Sequence, residues 1–214
     1  ATAVLGARTD SDDATGAPLP GGPGAVPGGG EAVAAALASF LGRSAQRPPA
    51  YSAKKVAGVR SYRRARRGEA VALAPVEVTV HRIELLDWSA PRATFRATVG
   101  AGTYLRALAR DLGEALGCGA YLETLRREAI GGLRVEDAVA PAGLGPAALL
   151  PARVAVAHLP TVALDAEAIV AVGHGRSVEA PEGLEGHAAL LAGEELAAVA
   201  RVEAGWLRPE VVLG

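Results

Sequence analysis

Alternating apolar and polar residues predict a long antiparallel hairpin in the middle of the chain. Residues 76–86 and 93–99 are rich in β-branched side chains that alternate with polar ones, and a polar turn joins the two runs. A short strand is predicted over 1–5, followed by a polar turn at 9–16. The Gly- and Pro-rich residues up to position 30 predict a loop.

Helical spacing predicts three helices around this hairpin. Apolar residues at intervals of three and four predict a helix over 31–41. A second helix follows the hairpin, with Thr103 as its N-cap and a leucine stripe that ends before two glycines. A third, short helix is predicted over 120–127.

Short apolar segments separated by glycine fill the C-terminal part. They are predicted as strands over 162–164, 169–172, 188–191, 196–202 and 206–212. The sequence therefore predicts two domains, 1–158 and 159–214, the second a small β-rich barrel.

Composition narrows the class of protein. Half of the 214 residues are hydrophobic and 21% are charged, as in a folded globular protein. No apolar run reaches the roughly 20 residues that a bilayer span needs. The single cysteine, Cys118, excludes an internal disulfide and predicts a small buried residue in a reducing, cytoplasmic protein.

The net charge of −1 conceals a basic segment. This segment, residues 51–68, holds seven cations and no acidic residue before Glu69, and Tyr51 and Tyr62 lie among the cations. These cations are Lys54, Lys55, Arg60, Arg63, Arg64, Arg66 and Arg67. A solvated charged face explains the composition equally well, but cations interleaved with aromatic rings favour RNA binding.

A second candidate site lies where the hairpin passes into the second helix. Tyr104 offers a flat ring for a base, and the Arg106 guanidinium matches a carboxylate or phosphate with two hydrogen bonds. The alternative is that Tyr104 packs in the core and Arg106 pairs on the surface. Arg110 and Glu114, four residues apart, predict an ordinary surface pair.

The sequence predicts neither a metal site nor an organic cofactor. The acidic turn containing Asp10, Asp12 and Asp13 lacks the glycine and the glutamate of a calcium loop. The four histidines are scattered, and no glycine-rich loop ends in Gly-Lys-Ser/Thr.

Four segments, in order, resemble the TruB family of tRNA pseudouridine-55 synthases. They are Arg-Thr-Asp-Ser-Asp-Asp-Ala-Thr-Gly at 8–16, Pro-Pro-Ala-Tyr-Ser-Ala-Lys-Lys at 48–55, Gly-Thr-Tyr-Leu-Arg at 102–106 and Leu-Gly-Cys-Gly-Ala at 116–120. The resemblance implies an α+β pseudouridine synthase fold with a central, mostly antiparallel sheet, an RNA-gripping insertion at about 48–70, and a PUA-like β-barrel.

The resemblance also implies a reaction and the residues that take part in it. A T-arm uridine of tRNA is flipped out, an aspartate attacks the nucleoside, the glycosidic bond breaks, and the base rejoins through carbon. Tyr104 would contact the flipped base, Arg106 would pair with the nucleophile, Asp13 would orient Arg106, and Leu125 would line the base pocket. The implied RNA contacts are Tyr51, Lys55, Arg63, Arg64, Arg66, Arg67, Arg126 and Arg127.

The family's nucleophile motif, Gly-x-Leu-Asp-Pro, is absent from the 214 residues. Leu164-Asp165 is the nearest match, but it lies in the predicted barrel with Ala166 in place of proline. We therefore expect a synthase whose nucleophile lies outside these 214 residues, so that the 214 residues alone would be inactive. We also expect this synthase to be a monomer. The alternative is a noncatalytic protein that binds or folds structured RNA. The short barrel disfavours the guide-RNA-dependent relatives.

Overall fold

The computed structural model describes residues 1–20, 24–52, 55–56, 59–60 and 73–213. It divides into two units, Ala1–Arg126 and Arg127–Gly214. This division falls earlier in the chain than the predicted domain boundary after residue 158. The predicted domains 1–158 and 159–214 stay a prediction.

The first unit is built on a five-stranded sheet with the strand order β2-β5-β6-β1-β7, in which every neighbouring pair is antiparallel. The predicted hairpin is confirmed as β5 and β6, and the first predicted strand as β1. The predicted α+β class with a central antiparallel sheet is confirmed. The described residues of this unit form β1 (Thr2–Leu5), α1 (Gly30–Ala38), β2 (Gly42–Gln46), β3 (Lys55–Val56), β4 (Val59–Arg60), β5 (Val76–Ser89), β6 (Arg92–Val99), α2 (Leu105–Ala115) and β7 (Ala120–Thr124).

The helices α1 and α2 contribute to one core. Leu108 and Leu112 of α2 and Leu37 of α1 are buried together with Phe95 of the sheet. The predicted leucine stripe therefore packs against the sheet, and this packing fixes α2 over it. Cys118 is buried in the same cluster, as predicted.

The second unit contains a mixed five-stranded sheet with the order β10-β12-β13-β14-β11, in which only the β10 and β12 pair is parallel. Val172, Leu190 and Leu207 lie in its core. Its strands and helix are β8 (Ala129–Ile130), β9 (Leu133–Arg134), β10 (Thr161–Ala163), α3 (Ala166–Gly173), β11 (Val178–Glu179), β12 (His187–Ala192), β13 (Glu195–Glu203) and β14 (Trp206–Val212). Four short 3-10 helices precede β10, at Val135–Asp137, Pro141–Gly143, Pro146–Ala148 and Ala152–Val156.

The helix predicted over 120–127 is wrong, because Ala120–Thr124 form strand β7. Ala120 and Leu122 are buried, and Tyr121 and Glu123 are only partly buried. This alternation is the two-residue period of a strand. The edge of β1 offers unpaired backbone groups, and β7 pairs with it, Ala120 facing Leu5. Tertiary pairing here overrides local propensity.

The strand predicted over 169–172 is also wrong, because these residues lie in α3. The Asp165 carboxylate accepts a hydrogen bond from the backbone N–H of Ala168 at 2.8 Å and so caps the helix. Asp165 therefore has a structural role, in line with our interpretation of Leu164-Asp165 as a chance match.

The predicted N-cap of α2 is wrong as well. The cap position is occupied by Tyr104, whose side chain makes no capping bond. The hydroxyl of Thr103 is buried and has no hydrogen-bond partner within the described part of the chain.

No helix among the described residues combines the length and apolar character that a membrane crossing requires.

Candidate active site

Arg106 lies at the start of α2 and joins three parts of the first unit. Its Nη1 donates to Asp13 Oδ2 at 3.0 Å and to the backbone carbonyl of Ser11 at 3.2 Å. Its Nη2 donates to the backbone carbonyl of Tyr51 at 2.7 Å. The side chains of Arg106 and Asp13 are 25% and 23% exposed, so the pair is partly shielded and open on one side. The structure thus brings the two predicted residues together.

Asp13 is held by several donors in addition to Arg106. Its Oδ1 accepts hydrogen bonds from Ser11 Oγ, Thr15 N and Thr15 Oγ1 at 2.6–3.0 Å. Burial acts to raise the pKa of Asp13, but the bonds from Thr15 and Ser11 and the charge of Arg106 outweigh it and lower the pKa below its ordinary value. Asp13 is therefore ionised at neutral pH, and its stabilising contribution is lost as the pH falls through the lowered pKa.

Tyr104 is half-buried and is not a core residue. Its backbone is clamped by Gln46, the last residue of β2, which is only 3% exposed. The Gln46 amide accepts a hydrogen bond from Tyr104 N at 2.9 Å and donates one to Tyr104 O at 3.2 Å. The sequence did not identify Gln46 as a site residue, because its partner, Tyr104, lies 58 positions away.

We expect Gln46→Ala to lower the free energy of unfolding of the first unit by about 1–3 kcal/mol. The substitution leaves the Tyr104 N–H without its partner, and it leaves the Tyr104 carbonyl with only the bond from Leu108 N. Chemical denaturation in a Trp206→Phe background, with Trp88 fluorescence as the readout, measures this effect. Arg43→Ala, which removes an exposed side chain of the same strand, is the matched control; equal stabilities of the two variants would contradict the prediction.

The remaining predicted residues fall into four groups. Tyr51 lies at the site through its carbonyl, and its hydroxyl donates to Asp10 Oδ2 at 3.4 Å. Leu125 directly follows β7 and is 57% exposed, and Arg126 and Arg127 are exposed. The backbone of Lys55 lies in β3. Arg63, Arg64, Arg66 and Arg67 lie outside the described residues. The roles of all of these residues stay predictions.

Arg110 forms a second cluster that the sequence analysis missed. Its guanidinium contacts Asp12 at 3.0 Å and Asp111 at 2.7 Å, and Glu114 is 3.9 Å away. The predicted pair of Arg110 and Glu114 is present. It is not an ordinary surface pair, however, because the Arg110 side chain is only 16% exposed and bonds mainly to two aspartates. The sequence signal for this cluster was the four-residue spacing of Arg106 and Arg110, because that spacing places both side chains on one face of a helix.

Burial decides the direction of the pKa shifts of the two aspartates beside Arg110. It raises the pKa values of Asp12 and Asp111 above their ordinary value, against the opposing charge of Arg110. Burial also acts to lower the pKa of Arg110, but the two aspartates outweigh it and raise that pKa. Among the residues that the structure describes, no group of three or more His, Cys, Asp or Glu side chains is arranged to hold a metal ion.

Comparison with known families agrees with this geometry. Residues 1–105 match the family model described as "TruB family pseudouridylate synthase (N terminal domain)", and residues 106–167 match "tRNA pseudouridylate synthase B C-terminal domain". The tRNA pseudouridine synthase B of Azoarcus sp. (strain BH72) is 38% identical over 213 residues, which cover 96% of this chain and 70% of that protein. The chain belongs to the TruB family. The predicted resemblance is confirmed.

Other TruB-family members are similar over part of their length. The tRNA pseudouridine synthase B of Xanthomonas oryzae pv. oryzae (strain MAFF 311018) is 46% identical over 173 residues, 76% of this chain and 56% of that protein. The chain spans between two fifths and two thirds of the length of most of the curated relatives it matches.

Solved structures confirm the predicted pseudouridine synthase fold. A chain of a Cbf5-Nop10-Gar1 complex superimposes with a TM-score of 0.68 at 24% identity, covering 99% of this chain and 65% of its own. A chain of an H/ACA RNP bound to a substrate RNA containing 2'-deoxyuridine superimposes with a TM-score of 0.67 at 23% identity, covering all of this chain and 64% of its own. At this identity the similarity shows the fold alone.

Proposed function

We propose that the protein containing this chain is a tRNA pseudouridine-55 synthase, an isomerase that acts on the T-arm. The observation that carries the proposal is the Arg106–Asp13 pair at the start of α2, with Tyr104 two residues before Arg106. Membership of the TruB family supports the same activity.

The proposed chemistry assigns a separate task to each side chain. A carboxylate attacks the nucleoside, and the bond from the sugar to the base nitrogen breaks. A new bond then forms from the sugar to a base carbon, and the carboxylate is released. That carbon loses its proton and the freed base nitrogen gains one, so that no atom is gained or lost overall. The Arg106 guanidinium holds the attacking carboxylate through paired hydrogen bonds, and Asp13 keeps the guanidinium plane fixed. Tyr104 contacts the base after it leaves its stack, and Leu125 lines the pocket that receives it.

These residues do not supply the nucleophile. They contain no Gly-x-Leu-Asp-Pro motif. We therefore expect the 214 residues alone to bind a T-arm stem-loop without converting it. We further propose that the protein acts as a monomer in the cytoplasm.

A pseudouridine assay on a T-arm stem-loop RNA tests the proposal. The protein is made from the complete reading frame that contains these 214 residues, and the control RNA carries cytidine at the target position. Product at one loop uridine, and none from the control, is the expected result. A folded protein that binds the stem-loop without forming product would overturn the proposal in favour of a noncatalytic RNA binder.

The basic segment is proposed to grip the RNA backbone. We expect replacement of Arg63, Arg64, Arg66 and Arg67 by glutamine to weaken stem-loop binding and to lower its salt dependence. The slope of log Kd against log salt concentration should fall by up to roughly three, because each phosphate contact contributes about 0.7–0.9.

Binding measured across a salt series checks this expectation. The control is Arg43→Gln combined with Arg82→Gln, since both arginines are exposed and pair with glutamates of the sheet. An unchanged slope in the quadruple variant would mean that the basic segment is a solvated face.

A further inference from the structure

Arg110 holds together two segments that are far apart in the sequence. Its Nη1 donates to Asp12 Oδ2 at 3.0 Å, and its Nη2 donates to the backbone carbonyl of Arg47 at 2.8 Å. Both Nε and Nη2 also donate to Asp111 Oδ1, one residue along the helix, which fixes the direction of the guanidinium. Arg110 therefore ties the turn at 9–16 and the end of β2 to the same face of α2.

Arg106 makes the same kind of connection one helical turn earlier. It bonds to Asp13, the next residue of the turn, and to the carbonyl of Tyr51, four residues beyond Arg47. Consecutive aspartates of the turn thus pair with arginines spaced four apart on α2. The pair at Arg106 is the more exposed of the two, and the pair at Arg110 is the more buried.

The turn needs an anchor of this kind. Asp12 has a φ of +61°, a left-handed conformation that costs a residue other than glycine about 1 kcal/mol. The turn also runs along the free edge of β7, where Leu122 N donates to Asp12 O and Ala14 N donates to Leu122 O. The Asp12 side chain is 13% exposed, so an Asp12 carboxylate without Arg110 would be a poorly solvated, unpaired charge.

We propose that Arg110 is a positioning residue that anchors the acidic turn through Asp12, and so holds Asp13 where it can orient Arg106. The proposal rests on the proposed function of Arg106. Arg110 acts through Asp12 and Asp13 and does not itself touch the substrate. Because Arg110 supports the turn, the orientation of Arg106 does not depend on the Arg106–Asp13 pair alone.

Arg110→Gln tests the proposal in the full-length protein. We expect kcat for the T-arm stem-loop to fall by about 10- to 100-fold, since a small displacement of a positioned group has effects of this size, while KM stays within about twofold. Arg110→Lys should recover part of kcat, because an ammonium retains the charge opposite Asp12 but not the fork. Glu114→Gln is the matched control and should leave kcat unchanged, since Glu114 is 61% exposed and lies 3.9 Å from Arg110.

Amide hydrogen exchange gives a readout that does not depend on activity. In Arg110→Gln, the amides of Ala14 and Leu122 should exchange about tenfold faster or more. The amide of Leu108, which bonds to the Tyr104 carbonyl inside α2, should keep its rate.

The possible outcomes separate the failure of this proposal from that of the proposed function. Unchanged exchange at Ala14 and Leu122 would overturn the anchoring role. Faster exchange with an unchanged kcat would overturn the positioning role. If the unsubstituted protein forms no pseudouridine, the proposed function fails and the positioning role in that reaction fails with it, whatever the exchange rates show.

Discussion

Replacement of Arg106 by lysine is expected to lower the kcat of pseudouridine formation by about 10²- to 10³-fold. The guanidinium donates to Asp13, to the Ser11 carbonyl and to the Tyr51 carbonyl at the same time. A lysine ammonium is a point charge on a flexible stem and cannot hold three acceptors and an incoming carboxylate in one plane. The loss should therefore appear in kcat more than in KM, because the carboxylate reacts only after the RNA is bound.

Steady-state kinetics on the T-arm stem-loop measure this effect, with protein from the complete reading frame. Arg82→Lys is the matched control, since Arg82 is 71% exposed and pairs with Glu84 on the surface of the sheet. Circular dichroism and the unfolding midpoint establish that both variants are folded. A kcat within twofold of the unsubstituted enzyme would remove Arg106 from the proposed mechanism.

Local patterns were sufficient where an element buries one face along its own length. The alternation in β5 and β6 and the leucine spacing in α2 each reflect burial of one face in the core of the first unit, and both predictions are confirmed. The segments at 120–127 and 169–172 failed for the opposite reason. Their short apolar runs are compatible with a strand or a helix, and pairing with β1 in one case and the Asp165 cap in the other decided between them.

The candidate site divides in the same way. Tyr104, Arg106 and Asp13 were found because the family motifs carry them. Gln46 and Arg110 act through partners 58 and 98 positions away. The four-residue spacing of Arg106 and Arg110 marks their shared helix face, but no local pattern identifies the distant partners. The second contact also explains why two adjacent aspartates occur in one turn: they pair with two arginines on one helix face.

Gly113→Ala is expected to destabilise the first unit by about 3 kcal/mol, at the upper end of what overpacking costs. A β-carbon at this position would lie 2.1 Å from the backbone nitrogen of Ala120 and 2.2 Å from the carbonyl carbon of Gly119. Alanine normally stabilises a helix interior relative to glycine by about 0.5–1 kcal/mol, so the expected change runs against helix propensity.

The size of this effect follows from what the backbone at Gly119 and Ala120 is bonded to. Gly119 O accepts a hydrogen bond from Gly6 N, and Ala120 faces Leu5 in the sheet. The two atoms nearest to the added β-carbon, Ala120 N and Gly119 C, are backbone atoms and not the end of a flexible side chain. The helix α2 can therefore make room only by moving away from β7 or by pushing β7 away from β1. Either movement opens the core around Leu112.

Denaturation of Gly113→Ala in a Trp206→Phe background measures the effect, because Trp88 then reports on the first unit alone. Gly28→Ala is the matched control, since no atom lies within 4 Å of its added β-carbon. The unfolding midpoint of Gly113→Ala should fall well below that of the control. Equal midpoints would mean that α2 and β7 can separate at little cost. The close contact between α2 and the start of β7 would then not hold the strand in position.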